Sequence, residues 1–171
     1  MPELIPVLSK NDIDKKVTQV ARRISSDYQN DELILIGVLK GAFVFLSDLV
    51  RHVSIPVKVD FIRVSSYGSG TSSGNIHLTK DIEIDIINKD VLIIEDIVDT
   101  GLTLAYIIDY LKSFNPKTVK VCALIDKHER REVKLKVDYA CYEVDEGFLV
   151  GYGLDYDEDY RNLPGVYHLK L

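Results

Sequence analysis

The sequence is poor in cysteine and has no long apolar run, and each shortage argues against a class of protein. Its 171 residues include only two cysteines, Cys122 and Cys141, both in apolar, strand-like segments. This context favours two buried free thiols in a reducing compartment over a disulfide. No stretch approaches the roughly 20 apolar residues that are needed to span a bilayer. We therefore expect no membrane partner.

Positive charge is also scarce. The sequence has 21 Lys and Arg against 27 Asp and Glu, a formal net charge of -6. A nucleic-acid surface normally shows a basic face, so no nucleic-acid partner is expected. The first ten residues contain no basic region followed by a long apolar one, so we expect no secretory signal and a cytoplasmic location. The four histidines are scattered without metal-ligand spacing, which argues against a structural zinc site.

Two common nucleotide-binding signatures and any internal repeat are missing as well. There is no G-x-G-x-x-G after the first predicted strand and no G-x-x-x-x-G-K-[ST], which argues against a Rossmann-type dehydrogenase and a P-loop kinase. One segment, residues 65–74, is rich in glycine and serine. Too few residues precede it for an independent domain, so a mobile loop inside one domain is favoured over a linker.

Predicted strands alternate with predicted helices along the chain. Ser9 followed by Asp12 is an imperfect capping box that should begin the first helix. Buried strands are expected at residues 33–38, 55–64, 91–94, 119–125 and 137–144, and further helices at 41–50 and 104–114. This alternation indicates an α/β fold, a central mostly parallel sheet with helices on both faces, in one domain of residues 1–171. Residues 76–87 and the C-terminal tail do not fit it, and we expect them to form a small sub-domain over the carboxyl edge of the sheet.

The most informative stretch runs from Val91 to Leu104 and reads VLIIEDIVDTGLTL. It combines a buried strand, an acidic pair, a hydroxyl-rich turn and the start of a helix. The carboxyl end of a strand followed by a helix N-terminus suits a phosphate. The acidic pair suits sugar hydroxyls or Mg²⁺. The pattern thus predicts a site for a phosphorylated sugar, although the Asp-Thr-Gly triplet alone also occurs as simple turn and cap chemistry.

This run resembles the phosphoribosyl-pyrophosphate motif of type I phosphoribosyltransferases, in particular the hypoxanthine and hypoxanthine-guanine branch. The resemblance covers most of the chain, from about Ile34 onward. It implies a fold with a hood built from the two chain ends, here the first few residues and roughly 145–171. It also implies that one run of residues contacts the ribose and the 5′-phosphate of the donor: Glu95, Asp96, Asp99, Thr100, Gly101, Leu102 and Thr103. Asp99 would be the catalytic base that accepts a proton at N7 of the purine.

The resemblance also implies a pyrophosphate site. Lys40 and Gly41 match the family's pyrophosphate loop, with a cis peptide bond between Leu39 and Lys40. Arg161 would bind the same group bidentately. Mg²⁺ is the implied cofactor, with Glu95 and Asp96 as candidate ligands of one ion and Asp155 as a candidate ligand of a second.

A purine site is implied by two further patches. In the first, Lys127 ends a buried strand. Its ammonium can only donate hydrogen bonds, so it would bind a 6-oxo group, which accepts one, and would not bind a 6-amino group, which donates. In the second, Phe148 would stack on the base, while Leu149 and Asp155 would contact the ring edge through backbone groups. The loop at Ser66 and Tyr67 would close over the site as a lid.

Two departures from the family pattern stand out. The turn before Phe148 lacks the usual proline, and Leu102 stands where some relatives carry a lysine. Adjacent strand residues point to opposite faces, so Glu95 and Asp96 can serve one ribose only if the strand has ended before them.

The activity that the resemblance implies is purine salvage. A Mg²⁺-dependent enzyme would transfer phosphoribosyl from 5-phosphoribosyl-1-pyrophosphate to N9 of hypoxanthine, and of guanine, giving IMP or GMP and pyrophosphate. The substrates would be this donor and a 6-oxopurine, and the assembly a homodimer or homotetramer. The alternatives are an enzyme that prefers xanthine or orotate, and an RNA-binding regulator on the same fold.

Overall fold

A computed structural model describes residues 2–29, 31–66 and 76–171. Of the two predicted lid residues, Tyr67 lies outside these ranges, and Ser66 is the exposed last residue of a strand. The lid therefore stays a prediction. The elements in chain order are β1 (Glu3–Leu8), α1 (Lys10–Asp27), β2 (Leu33–Val38), α2 (Phe43–His52), β3 (Val57–Ser66), β4 (Ile76–Lys80), β5 (Asp90–Val98), α3 (Leu102–Lys112), β6 (Thr118–Lys127), β7 (Tyr139–Val144), β8 (Leu149–Val150) and β9 (Val166–Lys170).

The main sheet has six strands in the order β4-β3-β2-β5-β6-β7. All neighbouring pairs are parallel except β3 and β4. Apolar side chains alternate between its two faces, so Leu33 and Leu35 pack with α1 and α2, whereas Ile34 and Ile36 pack with α3. The predicted α/β fold with helices on both faces is therefore confirmed.

The capping chemistry of α1 is also as predicted. The Ser9 hydroxyl accepts a hydrogen bond from the Asp12 amide at 3.1 Å, and the Asp12 carboxylate accepts one from the Ser9 amide at 3.0 Å. These reciprocal bonds satisfy two amides that would otherwise lack partners at the helix N-terminus. They fix the point at which the chain leaves β1 and enters the helical layer.

A second, three-stranded antiparallel sheet, β1-β9-β8, joins the two chain ends and forms the hood. The expected hood is present, but the prediction for residues 76–87 was wrong. Their strand β4 pairs with β3 and extends the main sheet. The following Ile82, Ile84 and Ile86 pack against the core on the α3 side, because this side of the sheet edge offers apolar surface.

Both cysteines are free and buried, as predicted. Burial raises the pKa of Cys141 to about 12 and that of Cys122 well above its usual value. Such thiols react slowly, because the thiolate is the reactive form. In the described part of the chain, no helix combines the length and the apolar character that crossing a membrane requires.

Candidate active site

The turn between β5 and α3 forms a small cavity. Gly101 is the N-cap of α3 and has a φ of 84°, a left-handed conformation that favours glycine. The Thr100 hydroxyl accepts a hydrogen bond from the Leu102 amide at 3.3 Å. The cavity measures about 120 Å³ and is lined by Glu95, Ile97, Val98, Asp99, Thr100, Gly101, Thr103 and Leu104. Its hydroxyls and the helix N-terminus suit an anion of phosphate size.

The segment after β6 holds this turn in place. A side chain at Gly101 would lie 2.8 Å from Val133 and 2.9 Å from Leu135, so this segment packs directly on the glycine. The Glu132 amide donates a hydrogen bond to the Thr100 carbonyl at 2.9 Å. Arg131 donates to the Asp99 carbonyl at 3.0 Å and also pairs with the Asp126 carboxylate. The turn is therefore preorganised by contacts from distant sequence.

The acidic pair lies inside β5 rather than after it. The strand continues to Val98, and Glu95 is in parallel register with Ala123 of β6. Glu95 lines the cavity beside α3, while Asp96 lies against Gly41 at the start of the α2 layer. The strand has therefore not ended before the acidic pair. The two carboxylates nevertheless interact with each other, so the shared role in ribose binding stays a prediction.

Burial raises the pKa of Glu95 well above its ordinary value of 4.5, and the neighbouring Asp96 charge adds to this shift. Burial also raises the pKa of Asp96, although hydrogen bonds and the Arg161 charge oppose it. The pair is therefore a place where the charged forms are poorly solvated. A cation or a hydroxyl-bearing ligand would stabilise them.

We expect Glu95→Gln to stabilise the protein while impairing its activity. The raised pKa means that the folded state binds this proton more tightly than the unfolded state, so Glu95 lowers stability as the pH rises above 4.5. Each unit of pKa difference corresponds to about 1.4 kcal/mol. Urea unfolding in metal-free buffer should show a gain for the variant that is larger at pH 8 than at pH 5. The exposed control Glu132→Gln should show none, and a less stable Glu95→Gln at pH 8 would contradict the assignment.

A glycine-lined contact joins β5, the loop after β2 and the hood. A side chain at Gly41 would lie 1.8 Å from the Asp96 carboxylate, and one at Gly153 would lie 2.3 Å from the Gly41 carbonyl. The Leu39-Lys40 peptide bond that precedes Gly41 is cis, as the resemblance implied. The two glycines therefore let three segments of backbone and one carboxylate meet at close range.

We expect Gly41→Ala to lower kcat/KM for the donor that the resemblance implies by about tenfold, because the new methyl group displaces Asp96, and small misplacements of binding groups reduce rates strongly. The Asp96→Ala background provides the matched control. There the carboxylate is already absent, so adding Gly41→Ala should cost little further activity. Equal costs in the two backgrounds, measured by steady-state kinetics, would contradict the contact.

The predicted pyrophosphate cations meet at one carboxylate. Lys40 donates to Glu158 at 2.8 Å, and Arg161 donates to the same carboxylate at 3.2 Å. Arg161 also donates to the Gly153 carbonyl at 2.7 Å and lies 3.3 Å from Asp155. The Lys40 ammonium and the Arg161 guanidinium lower the pKa of Glu158. The structure thus brings the two cations together around an anion, here an exposed carboxylate.

Asp99 and Lys127 lie together beside the cavity. The Lys127 ammonium is buried and stands 3.9 Å from one Asp99 oxygen and 3.7 Å from Glu129. That Asp99 oxygen, Oδ1, is buried and accepts no hydrogen bond from the described residues, and the other oxygen is 3.7 Å from Arg130. Asp99 is not the N-cap of α3, since Gly101 takes that position. Its carboxylate is therefore available to accept a proton.

The predicted base-stacking residue lies at the edge of the hood. Phe148 is half-exposed, and its ring meets the edge of Tyr156 at 5.7 Å. Leu149 is buried in the core and pairs with His168 through β9, so only its backbone is available to a ligand. Asp155 accepts a hydrogen bond from the Glu158 amide at 2.9 Å. An open aromatic face and nearby backbone groups can hold a planar base.

The predicted metal ligands are not gathered into one cluster. Among the described residues, one group of three candidate ligands has donor atoms within 4.8 Å, namely Asp126, His128 and Glu143. Asp126 is already paired with Arg131. Glu95 and Asp96 are close to each other, whereas Asp155 belongs to the hood loop that holds Arg161.

Sequence reasoning missed Glu129, Arg130, Arg131 and Glu158. The first three occur in the charged run HERRE directly after Lys127, which is a signal that the sequence offers. Their partners, however, are Asp99 and the hood, which are remote in sequence. Glu158 lies three residues before Arg161 in a loop whose bends, such as its own φ of 68°, no residue pattern indicates.

Comparison with known proteins places this geometry in context. The family model described as "Phosphoribosyl transferase domain" matches residues 7–157. A hypoxanthine-guanine phosphoribosyltransferase from Aquifex aeolicus is 49% identical over 166 residues, which are 96% of this chain and 93% of that protein. The enzyme of the same name from Streptococcus pyogenes is 45% identical over 163 residues, 95% of this chain and 91% of that protein.

Solved structures give the same result. A hypoxanthine-guanine phosphoribosyltransferase from Bacillus anthracis is 40% identical, covers 100% of both chains and superposes with a TM-score of 0.94. A hypoxanthine phosphoribosyltransferase from Staphylococcus aureus is also 40% identical and has a TM-score of 0.93, with coverage of 96% of this chain and 90% of that one.

Proposed function

The chain belongs to the phosphoribosyl transferase domain family, and we propose that it is a purine-salvage enzyme that uses a 6-oxopurine. It transfers phosphoribosyl from 5-phosphoribosyl-1-pyrophosphate to N9 of hypoxanthine, and of guanine, releasing IMP or GMP and pyrophosphate. The observation that carries this proposal is the Asp99 oxygen that accepts no hydrogen bond from the described residues and lies 3.9 Å from the buried Lys127 ammonium, next to the cavity at the N-terminus of α3. Residues 1–171 act as one domain with its hood.

The donor would be bound in three parts. Amides and hydroxyls from Thr100 to Thr103 would hold the 5′-phosphate in the cavity. The adjacent Glu95 and Asp96 carboxylates would accept hydrogen bonds from the ribose hydroxyls near the carboxyl end of β5. Lys40 and Arg161 would exchange the Glu158 carboxylate for pyrophosphate, which carries more charge than a carboxylate.

The base would lie between the hood and the end of β6. Phe148 would stack on the purine, and backbone groups at Leu149 and Asp155 would contact its edge. Lys127 stands farther than hydrogen-bond distance from both Asp99 and Glu129. The two carboxylates attract the ammonium without taking its N–H groups, which could therefore donate to a 6-oxo group. Asp99 would accept the proton from N7 as N9 attacks the oxocarbenium-like ribose.

We propose Mg²⁺ as the cofactor. Glu95 is a buried carboxylate and Asp96 a half-buried one, both with raised pKa values, and Asp155 is a half-buried carboxylate beside Arg161. Carboxylate oxygens at either of these two places suit a hard divalent cation. When bound, the ion would neutralise charge on the leaving pyrophosphate. The residues of the chain keep the separate tasks of binding the phosphate, orienting the base and accepting the proton.

We further propose a cytoplasmic enzyme that assembles as a homodimer or homotetramer. The two buried free thiols, Cys122 and Cys141, suit a reducing compartment. The net charge of -6 argues against the alternative of an RNA-binding regulator.

A panel of purines, with the pyrimidine orotate added, tests the proposed function. The protein is incubated with 5-phosphoribosyl-1-pyrophosphate, Mg²⁺ and one of hypoxanthine, guanine, xanthine, adenine or orotate, and nucleotide formation is followed by chromatography. We expect IMP and GMP to form and no AMP. Faster transfer to xanthine, adenine or orotate, or no transfer to any base, would refute the proposal.

A further inference from the structure

Glu129 touches both walls of the proposed base pocket. Its carboxylate lies 3.7 Å from the Lys127 ammonium, and the same oxygen accepts a hydrogen bond from the Gly147 amide at 3.3 Å. Lys127 forms the wall that would meet the 6-position of the base. Gly147 directly precedes Phe148, which forms the stacking wall.

The backbone fixes Glu129 in this place. Its amide donates to the Asp145 carbonyl at 3.0 Å, and the His128 amide donates to the Val144 carbonyl at 3.2 Å. These bonds continue the pairing of β6 and β7 past the ends of both strands. The Glu129 side chain therefore starts from a backbone position fixed on the main sheet, although 48% of the side chain is exposed.

Within the described residues, the other contacts that the structure gives for Gly147 and Phe148 come from the hood. Gly147 has a φ of 104°, and a side chain there would lie 2.4 Å from the His168 ring. The Phe148 carbonyl accepts a hydrogen bond from the Leu169 amide at 2.9 Å. Both of these contacts come from β9, a strand of the hood. The Glu129 side chain ties Gly147 itself to the main sheet, in addition to the backbone bond between the Glu129 amide and Asp145.

The charge on Glu129 also balances Lys127. The buried ammonium stands between two carboxylates, 3.9 Å from Asp99 and 3.7 Å from Glu129. Without the Glu129 charge, Asp99 would be its nearest counter-ion, and the ammonium would be drawn toward the proton acceptor. It would then be misplaced for a 6-oxo group, and it would compete with the purine for Asp99.

We propose that Glu129 is a positioning residue for the purine: one carboxylate sets the separation between the Lys127 ammonium and the ring of Phe148, and so sets affinity for 6-oxopurines. The inference rests on the proposed function and adds to it a residue that does not itself touch the substrate. Its two contacts require two different properties of the side chain, a negative charge near Lys127 and a hydrogen-bond acceptor for the Gly147 amide.

Two substitutions distinguish the effect of the charge from that of the hydrogen-bond acceptor. Glu129→Ala removes both contacts, whereas Glu129→Gln keeps an acceptor oxygen for the Gly147 amide and removes the charge. We expect Glu129→Ala to raise KM for hypoxanthine by about tenfold, the loss associated with one hydrogen bond or pair involving a charged group. Glu129→Gln should give an intermediate increase. In both variants KM for the phosphoribosyl donor should stay at the wild-type value.

The control is Glu146→Gln, which changes an exposed acid in the same turn and should leave both KM values unchanged. An unchanged KM for hypoxanthine in Glu129→Ala would overturn the proposal. So would equal increases in both KM values accompanied by a lower melting temperature, which would indicate general damage. A Glu129→Gln variant identical to wild type would overturn the coupling to Lys127.

Wild-type activity distinguishes this proposal from the one on which it rests. If the wild-type protein forms no nucleotide from hypoxanthine, the proposed function fails and Glu129 has no purine to position. If the wild type is active and Glu129→Ala equals it, only the role of Glu129 fails.

Discussion

Replacing Asp99 with asparagine should reduce kcat by about 100-fold or more, the range that a positioned proton acceptor supplies. The reason is specific to this carboxylate. Its buried Oδ1 lies 3.9 Å from the Lys127 ammonium but accepts no hydrogen bond from any described residue, so no hydrogen bond of the fold would have to break for this oxygen to take a proton. Asparagine has nearly the same shape but cannot take a proton.

Donor binding provides the contrast. The 5′-phosphate contacts proposed for Thr100 to Thr103 do not depend on the Asp99 charge. Calorimetric titration with 5-phosphoribosyl-1-pyrophosphate and Mg²⁺ should therefore give an affinity for Asp99→Asn close to that of the wild type. The matched control, Asp109→Asn, changes an exposed aspartate near the other end of α3 and should leave kcat unchanged. Parallel losses of donor affinity and turnover in Asp99→Asn would mean that Asp99 binds the donor and is not the base.

Replacing Lys127 with alanine should lower kcat/KM for hypoxanthine by about 100-fold, while the already low value for adenine changes little. A site built to donate to a 6-oxo group loses a hydrogen bond from a charged donor, and discrimination based on such bonds is large. The structure adds a second cost. Lys127 is 5% exposed and stands between Asp99 and Glu129, so the variant leaves two carboxylates without the cation between them.

The ratio of the two kcat/KM values is the decisive quantity for Lys127. The selectivity of the enzyme for hypoxanthine over adenine should decrease in Lys127→Ala. It should stay constant in Lys134→Ala, which removes an exposed lysine from the next segment. A variant that loses activity with unchanged selectivity would place Lys127 outside base recognition. Measurement of both substrates on the same preparation avoids errors in active-enzyme concentration.

The parts of the fold that follow from local sequence were predictable. The buried runs at β2, β5 and β6, and the cap at Ser9, depend on apolar pattern and short-range hydrogen bonds. The C-terminal end of β5 was not predictable from sequence, because the apolar run ends at Ile94, whereas parallel pairing with β6 extends the strand to Val98. Likewise α2 begins at Phe43, later than predicted, since Gly41 is held against Asp96.

The site divides in the same way. The phosphate cavity is made by consecutive residues, so its motif was readable from one segment. The contacts that join it to the rest of the pocket connect residues far apart in sequence. Arg131 reaches Asp99, and Glu158 lies between Lys40 and Arg161. Such partners depend on how β6 and the hood fold over the carboxyl edge of the sheet, which the sequence pattern alone does not specify.

The most direct test is a crystal structure of the protein with 5-phosphoribosyl-1-pyrophosphate and Mg²⁺. The account predicts density for the 5′-phosphate against the amides of Thr100 to Thr103, and for pyrophosphate between Lys40 and Arg161 in place of the Glu158 carboxylate. Density for the donor at any other part of the surface, with the cavity at α3 left without it, would contradict the central claim.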